Sequence, residues 1–562
     1  MKKRVVNLVS LIMCCIMLVG MTACGPKKPV EDPTKSHLYV YNYNGGVGNS
    51  WLEDKEREFE EFYKDHPFEE GRTGVDVHVI ANKNGISDLR SSSYNVIFAE
   101  GMPMNDYASQ GLLLNINDVV NTTLTEFGEN KKIADKIPEN EQKAYTAVDG
   151  NYYYLPHYEV YYGLTYDRKV FEEYNLFFKQ GSGWTNGLGE NKALLSVGPD
   201  GIKGSYDDGL PSSIEEFEKL IDRMVLVGVV PFIWSGMYTH YINSLVAGVW
   251  ASYSGAEQLM LNVNFDSSAV EGKTVYNESV TGIQNGEPVI RNDEITLENG
   301  YLTSWQAGKY YAFKIVNKIM SDNRNYSNLI TGTLTHLEAE QEYIYSDLEN
   351  KPIGMFIDGS YWYNEAKAAF ERSISDYPQT AKNRNFQWMP LPTQAKGQVV
   401  EGGGKKNTMI SALDCRCFIN ANIANDPVKV DLAKKFVMFN YTDTALQDFT
   451  VSTNSKKGVD YSLTQDQVNS LNSFAKSIYV MSQESDIVRP VSDNPIYVNA
   501  GGRLTFAADG DRYTVKDANG ASYLHIYEAL NAKVNWQDAF LYGRKTEDFW
   551  SSNYSKYWNT GK

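Results

Sequence analysis

Cysteine is scarce in this chain: five residues in 562, three of them (Cys14, Cys15 and Cys24) within the first 24 positions. Only Cys415 and Cys417 remain, as a single C-x-C. That excludes a disulfide scaffold and falls short of the roughly four ligands of a structural zinc site. Two ordinary thiols or one local bridge are expected. Cationic charge is also in deficit, with 53 Lys and Arg against 70 Asp and Glu and a net charge of −17. Such a chain lacks the basic surface that nucleic acid requires. Beyond residue 20 no apolar run is long enough to cross a bilayer. Catalytic signatures are missing too. There is no H-E-x-x-H and no G-x-S-x-G. Gly272-Lys273-Thr274 lacks the first glycine of a P-loop, which is Ser267 here. Ser473-x-x-Lys476 has no accompanying K-T-G. A glycoside hydrolase needs only two facing carboxylates roughly 5–10 Å apart, and a sequence this acidic leaves that alternative open.

What is present begins at the amino end. Lys2, Lys3 and Arg4 precede an apolar stretch over residues 5–20, followed by Met21-Thr22-Ala23-Cys24-Gly25. Charge, apolar run and small residues read as an export signal. The last five resemble a bacterial lipobox, which implies cleavage after residue 23 and lipidation, such as palmitate, at Cys24. Residues 24–36, with three prolines, read as a tether. Removing residues 1–23, which carry three cations and no anions, takes the net charge to −20. The expected location is the extracytoplasmic face of the cell membrane.

The body of the chain alternates strand and helix signals. Residues 37–43 are β-rich, Val75, Val77 and Val79 alternate with polar neighbours, and residues 96–98 form a short apolar run. Leu52, Phe59, Phe62 and Tyr63 share a helical face. Ser213-x-x-Glu216 is a capping box, and Asp426-Pro427 is an N-cap followed by a first-turn proline. Alternation of this kind predicts α/β layers. Segments 179–211 and 262–300 read as surface insertions, and no internal repeat is found. Tyrosine is abundant, at 39 residues, with 10 tryptophans. These side chains join a flat apolar face to a hydrogen-bonding edge, as sugars do.

Several stretches, in order, resemble the extracellular solute-binding proteins of ABC importers, in the maltose-binding-protein-like group. They are Asn95-Val96-Ile97-Phe98 with Tyr107-Ala108-Ser109-Gln110-Gly111-Leu112-Leu113; Tyr154-Leu155-Pro156 with Leu164-Thr165-Tyr166-Asp167-Arg168-Lys169; residues 210–217; residues 352–362; Met389-Pro390-Leu391-Pro392 with Gly402-Gly403-Gly404; and the helix at 426–440. Asp167 stands where the family usually has Asn. The resemblance implies two discontinuous α/β lobes with a hinge and an interlobe cleft. Lobe one would take residues 37–156 and about 398–465. Lobe two would take about 157–397 and 466–562.

The implied function is capture of a carbohydrate, an oligosaccharide, for delivery to an ABC permease by a monomeric, non-enzymatic protein. Alternatives are a surface glycan binder without a transporter, a binder of another polar solute such as a peptide, or a glycoside hydrolase. Ligands of α/β sheets lie beyond the strands' carboxyl ends. The candidate contacts are therefore Tyr43 and Asn44 after the first strand, Glu100 after the third, and His157, Tyr158 or Glu159 at the hinge. Lobe two would add Trp234 and Tyr238, then Asp358, Tyr361 and Trp362, with Trp362 as the main stacking face; Glu401 would line lobe one. No cofactor is expected, except that Asp200, Asp207 and Asp208 in a glycine-rich loop are candidate ligands for structural Ca²⁺.

Overall fold

The computed structural model describes residues 31–557, apart from 44, 83–85, 87, 139–141, 148, 239–240, 269–271, 412–414, 491–493, 501–514, 517–521, 524–529, 532 and 543–546. The expected signal segment, Cys24 and Asn44 lie outside the described residues.

In chain order, the strands that organise the molecule begin with β1 (Ser36–Tyr43), β2 (Val75–Asn82), β3 (Val96–Glu100), β4 (Tyr154–Pro156), β5 (Tyr161–Tyr162), β6 (Thr165–Asp167) and β7 (Val230–Ile233). They continue with β8 (Asn277–Gln284), β9 (Glu287–Asp293), β10 (Ile353–Phe356), β11 (Phe386–Trp388), β12 (Thr408–Ser411), β13 (Cys415–Ile419) and β14 (Asp486–Val488). A five-stranded sheet has the order β2-β1-β3-β13-β4. A four-stranded sheet has the order β11-β6-β10-β7, and a three-stranded one β14-β12-β5. β1 runs parallel to β2 and β3, whereas β13 is antiparallel to both β3 and β4. The result is the α/β layering that the alternating pattern predicts, in the two lobes that the resemblance implies.

The first lobe is built on one apolar core. Leu38 and Val40 from β1, Val75 and Val77 from β2 and Val96 and Phe98 from β3 meet helix α1 (Ser50–Phe62) through Trp51, Leu52 and Phe59. Of the face predicted for α1, Phe62 is the exception and is half exposed. In the second lobe, helix α2 (Ile214–Leu226) buries Ile214, Phe217, Leu220, Ile221 and Met224. The Ser213 side chain caps the Glu216 N–H at 3.2 Å, but the Glu216 carboxylate reaches back to Ser212 rather than to Ser213, accepting from its N–H at 3.0 Å. Helix α3 (Ile242–Ser254) and helix α4 (Ala307–Met320) are apolar on most sides and sit in the same core. Helix α5 (His336–Tyr345) starts with a full capping box from Thr335 and Glu338. Helix α6 (Pro427–Asn440) starts on the Asp426 cap, which accepts from Lys429 N at 3.1 Å, and returns to the first lobe with helix α7 (Asp443–Thr453). Helix α8 (Ser473–Glu484) lies on β11, where Ser477 accepts from Trp388 N at 2.7 Å.

The chain passes between lobes three times: from β4 to β5, from β12 to β13, and between Val459 in the first core and Phe474 in the second. The second passage falls later than the position near 398 implied by the resemblance. Residues 398–411 still belong to the second body: Gln398 donates to Lys179 O at 3.0 Å, Val399 N to Ser212 Oγ at 3.0 Å, and β12 pairs with β5 and β14. The two expected insertions also have structure. Leu195 and Leu210 anchor the first in the core alongside Phe177 and Phe178, and β8 and β9 give the second an antiparallel hairpin.

Candidate ligand cleft between the lobes

The carboxyl ends of strands from both lobes bring a cluster of carboxylates and phenols together. On the first-lobe side, the Tyr158 hydroxyl donates to Glu100, which ends β3. Gly46 lies in the loop after β1 with φ +36°, and a Cβ there would come within 2.5 Å of the Tyr158 hydroxyl oxygen. Glycine is therefore what lets this loop lie against the tyrosine. Tyr43, at the end of β1, has its phenol pushed up by burial, then by the charges of Glu100 and Glu365. Glu365 belongs to the second lobe, so the influence on Tyr43 acts from one lobe to the other. Tyr361, also from the second lobe, packs against the first lobe's core.

On the second-lobe side, Asp358 follows β10 and is fully buried; one carboxylate oxygen accepts from Gly359 N at 2.6 Å. Burial, then Glu365, push its carboxyl well above the usual range, against the pull of the Gly359 N–H and the Tyr361 hydroxyl. Glu340, on α5, is raised to about 10 by burial, then by Asp358 and Glu365. The phenols of Tyr241 and Tyr361 are raised by burial and next by Asp358. Tyr241 lies 6.1 Å from the His336 ring with planes 16° apart, and Tyr238 lies 5.7 Å from His336. Glu340 thus holds its proton at neutral pH, and its carboxyl can both donate and accept. The cluster offers hydroxyl-like partners and flat ring faces in one place.

Comparison with protein-family models and with curated proteins found no match. Among solved structures, this chain is similar to a cyclic α-maltosyl-1,6-maltose binding protein from Arthrobacter globiformis, with 11% identity over 92% of this chain and 100% of that one, at a TM-score of 0.50. The chain has the solute-binding-protein fold. A chitin oligosaccharide binding protein (14% identity, 83% and 92% of the two chains, TM-score 0.49) and the raffinose complex of RafE (13%, 83% and 93%, 0.48) are also similar.

Within this solute-binding fold, the residues singled out from sequence divide into two groups. Tyr43, Glu100, Tyr158, Asp358 and Tyr361 lie where the two lobes meet, and Tyr238 stands 39% exposed beside His336. The others go elsewhere. His157 is buried in the first lobe's core, 4.8 Å from Phe98, 5.0 Å from Trp51 and 5.4 Å from Phe449. Burial, then Lys457, hold its pKa well below the ordinary value. Glu159 accepts from Arg489 Nε at 2.8 Å and from the Tyr161 hydroxyl. Burial raises its pKa, but Arg489, Lys456 and these bonds outweigh burial and hold it below the ordinary value. Trp234 is fully buried against Tyr326, at 5.5 Å.

Trp362, expected to be the main stacking face, is fully buried, with Phe356, Phe386 and Phe474 around it and its Nε1 donating to Thr165 Oγ1 at 3.0 Å. It is a core residue because the short helix it opens and the helix that follows lay Trp362, Ala366 and Ala369 inward. Glu401 is exposed in a turn whose Gly402 N donates to Gly201 O at 2.9 Å, so it lies against the second lobe and not the first. In the acidic loop, Asp207 accepts from Asp200 N at 2.9 Å and Ser205 Oγ at 2.7 Å, and Asp208 accepts from Gly204 N at 2.9 Å. These oxygens serve the loop's own donors, and burial and then Asp200 raise Asp207 to about 8.

Tyr241, His336, Glu340 and Glu365 were not foreseen. Glu365 had a signal: it lies four residues after Tyr361, the spacing that puts two side chains on one helical face.

Proposed function

We propose that this protein captures an oligosaccharide between its lobes and presents it to an ABC permease, without turnover, while held at the extracytoplasmic membrane face by lipid on Cys24. The observation that carries the reading is the meeting of Tyr43 and Glu100 from one lobe with Asp358, Tyr361 and Glu365 from the other. Ring faces of Tyr43, Tyr241 and Tyr361 would cover the C–H faces of sugar rings. Carboxyls at Glu100, Asp358 and Glu365 would pair with hydroxyls, since an unpaired buried polar group costs about 1–3 kcal/mol. A protein of the same fold is named for binding a cyclic maltosyl-maltose, which favours carbohydrate over peptide. Binding would shift the lobes toward a closed arrangement in proportion to its preference for that state.

Calorimetry across linear and cyclic oligosaccharides and peptides, with chromatography of the recovered ligand, tests this. The expected result is saturable binding of an oligosaccharide recovered intact and lost in Tyr361→Ala. Binding of peptides alone, or recovery of cleaved sugar, overturns it. Lipidation is tested separately: mass spectrometry of membrane-bound protein should find acylated Cys24, and Cys24→Ala should release the chain.

A further inference from the structure

A second cluster of chemistry lies at the opposite end of the first sheet. β1 and β2 pair with His37 opposite Asp76 and Tyr39 opposite His78. Leu38, Val40, Val75 and Val77 enter the core. Strand alternation therefore puts His37, Tyr39, Asp76 and His78 together on the other face. His37 Nδ1 lies 3.1 Å from His78 Nε2, and Asp76 Oδ2 lies 3.5 Å from each nitrogen. The two imidazole planes are within 16° of each other. Both histidines are only 8% exposed, and Asp76 is 23% exposed.

We propose that His37, Asp76 and His78 form a binding site for a divalent transition-metal ion, with Zn²⁺ the best fit. In a tetrahedral zinc site the ligand atoms are about 2.0–2.2 Å from the ion, which places them roughly 3.3–3.6 Å from one another. The two nitrogen–carboxylate separations of 3.5 Å fall in that range, and the nitrogen–nitrogen separation of 3.1 Å is slightly shorter. Two imidazoles and one carboxylate suit zinc, whereas Ca²⁺ and Mg²⁺ take oxygen donors. Three protein ligands leave a fourth position for water.

The surroundings support the group. Asp32 N donates to the same Asp76 Oδ2 at 3.4 Å. The Tyr39 ring lies 4.8 Å from His78 with planes 27° apart, and its hydroxyl donates to Glu31. An ion here would tie β1, β2 and the segment entering β1 into one unit. The site stands at the amino ends of these strands, while Tyr43 marks the carboxyl end that faces the cleft, so it does not rest on the ligand reading.

The test uses the whole chain, stripped of metal by chelator and dialysed. Zn²⁺ titrated by calorimetry should bind at one ion per chain and raise Tm. A crystal soaked in zinc should give one anomalous peak between the three side chains. His78→Ala and Asp76→Asn should weaken zinc by about 100-fold or more, beyond the ten- to hundredfold typical of outer-sphere changes, and leave oligosaccharide affinity unchanged. Millimolar Ca²⁺ or Mg²⁺ should not compete. No saturable zinc binding by the folded wild type would show a histidine–histidine hydrogen bond only. Unaltered binding in a His37→Ala/His78→Ala double variant would place the ion elsewhere. Either result overturns the proposal, and the wild-type titration and anomalous peak decide it even where a variant fails to fold.

Discussion

The side-chain nitrogen of Lys457 lies 4.6 Å from the ring centroid of Tyr441, deep in the first lobe. Trp51, Phe449 and Phe98 complete an enclosure at 4.9, 5.0 and 5.4 Å. The ring faces favour an ammonium, but burial pushes its pKa down to about 7.

The folded pKa of Lys457 is therefore below that of the unfolded chain, so the unfolded state binds more protons between pH 7 and 10.5. Wild-type stability should rise across that window as the penalty of burying the charge disappears. Lys457→Met should raise Tm by several degrees at pH 6, with the gain shrinking toward pH 10. Thermal unfolding of both proteins at five pH values checks this; a constant difference would rule it out.

Glu340 gives the opposite slope. Its carboxyl is raised from 4.5 to about 10 in the folded state, so folding retains a proton that the unfolded chain releases. Stability should fall as pH rises from about 4.5 to 10. Glu340→Gln should match wild type near pH 4 and exceed it in Tm by a few degrees at pH 8, read by calorimetry.

The cleft assignment predicts affinity. Glu365→Gln and Tyr361→Phe should each weaken binding of the best oligosaccharide by about ten- to hundredfold, equivalent to roughly 1.4–2.8 kcal/mol, with unchanged circular dichroism. Trp362→Phe should lower stability and leave affinity near wild type. The reverse pattern would return Trp362 to the ligand.

Glu159 and Arg489 form a buried pair, and removing one partner of such a pair costs about 3–5 kcal/mol. Glu159→Gln should lose that much in urea unfolding. Adding Arg489→Met should restore part of it, and an additive loss would show that the two act independently.

The elements were readable where one face is buried. Strand β1 showed its β-rich composition, β2 its period of two, and α2 its capping serine with apolar residues at helical spacing. Contacts between distant segments were hidden. Asp167 illustrates this. Its carboxylate caps α-helical Lys169 N at 2.9 Å, accepts from Asn385 N at 3.0 Å and pairs with Arg384. An asparagine could not neutralise that guanidinium, and nothing near residue 167 announces a partner more than 200 positions away. Site residues failed for a related reason. Chain position located the loop after β10, but not which of Asp358, Tyr361 and Trp362 turns inward. Trp362 was favoured for being a tryptophan, while Glu365 went unnoticed although helical spacing aligned it with Tyr361. Apolar bulk pulled the tryptophan into the core.

The Glu159–Arg489 pair has a mechanical consequence. Glu159 lies in the strand-to-strand passage between lobes, Lys456 O in the first lobe accepts its N–H at 2.9 Å, and Arg489 immediately follows β14. Two oppositely charged groups buried together resist separation. If the lobes rotate on ligand capture, the points that keep their spacing are those on the axis of rotation. This pair would then mark the pivot, and the distance from it to Tyr361 would be the lever arm that converts a small turn into closure of the mouth.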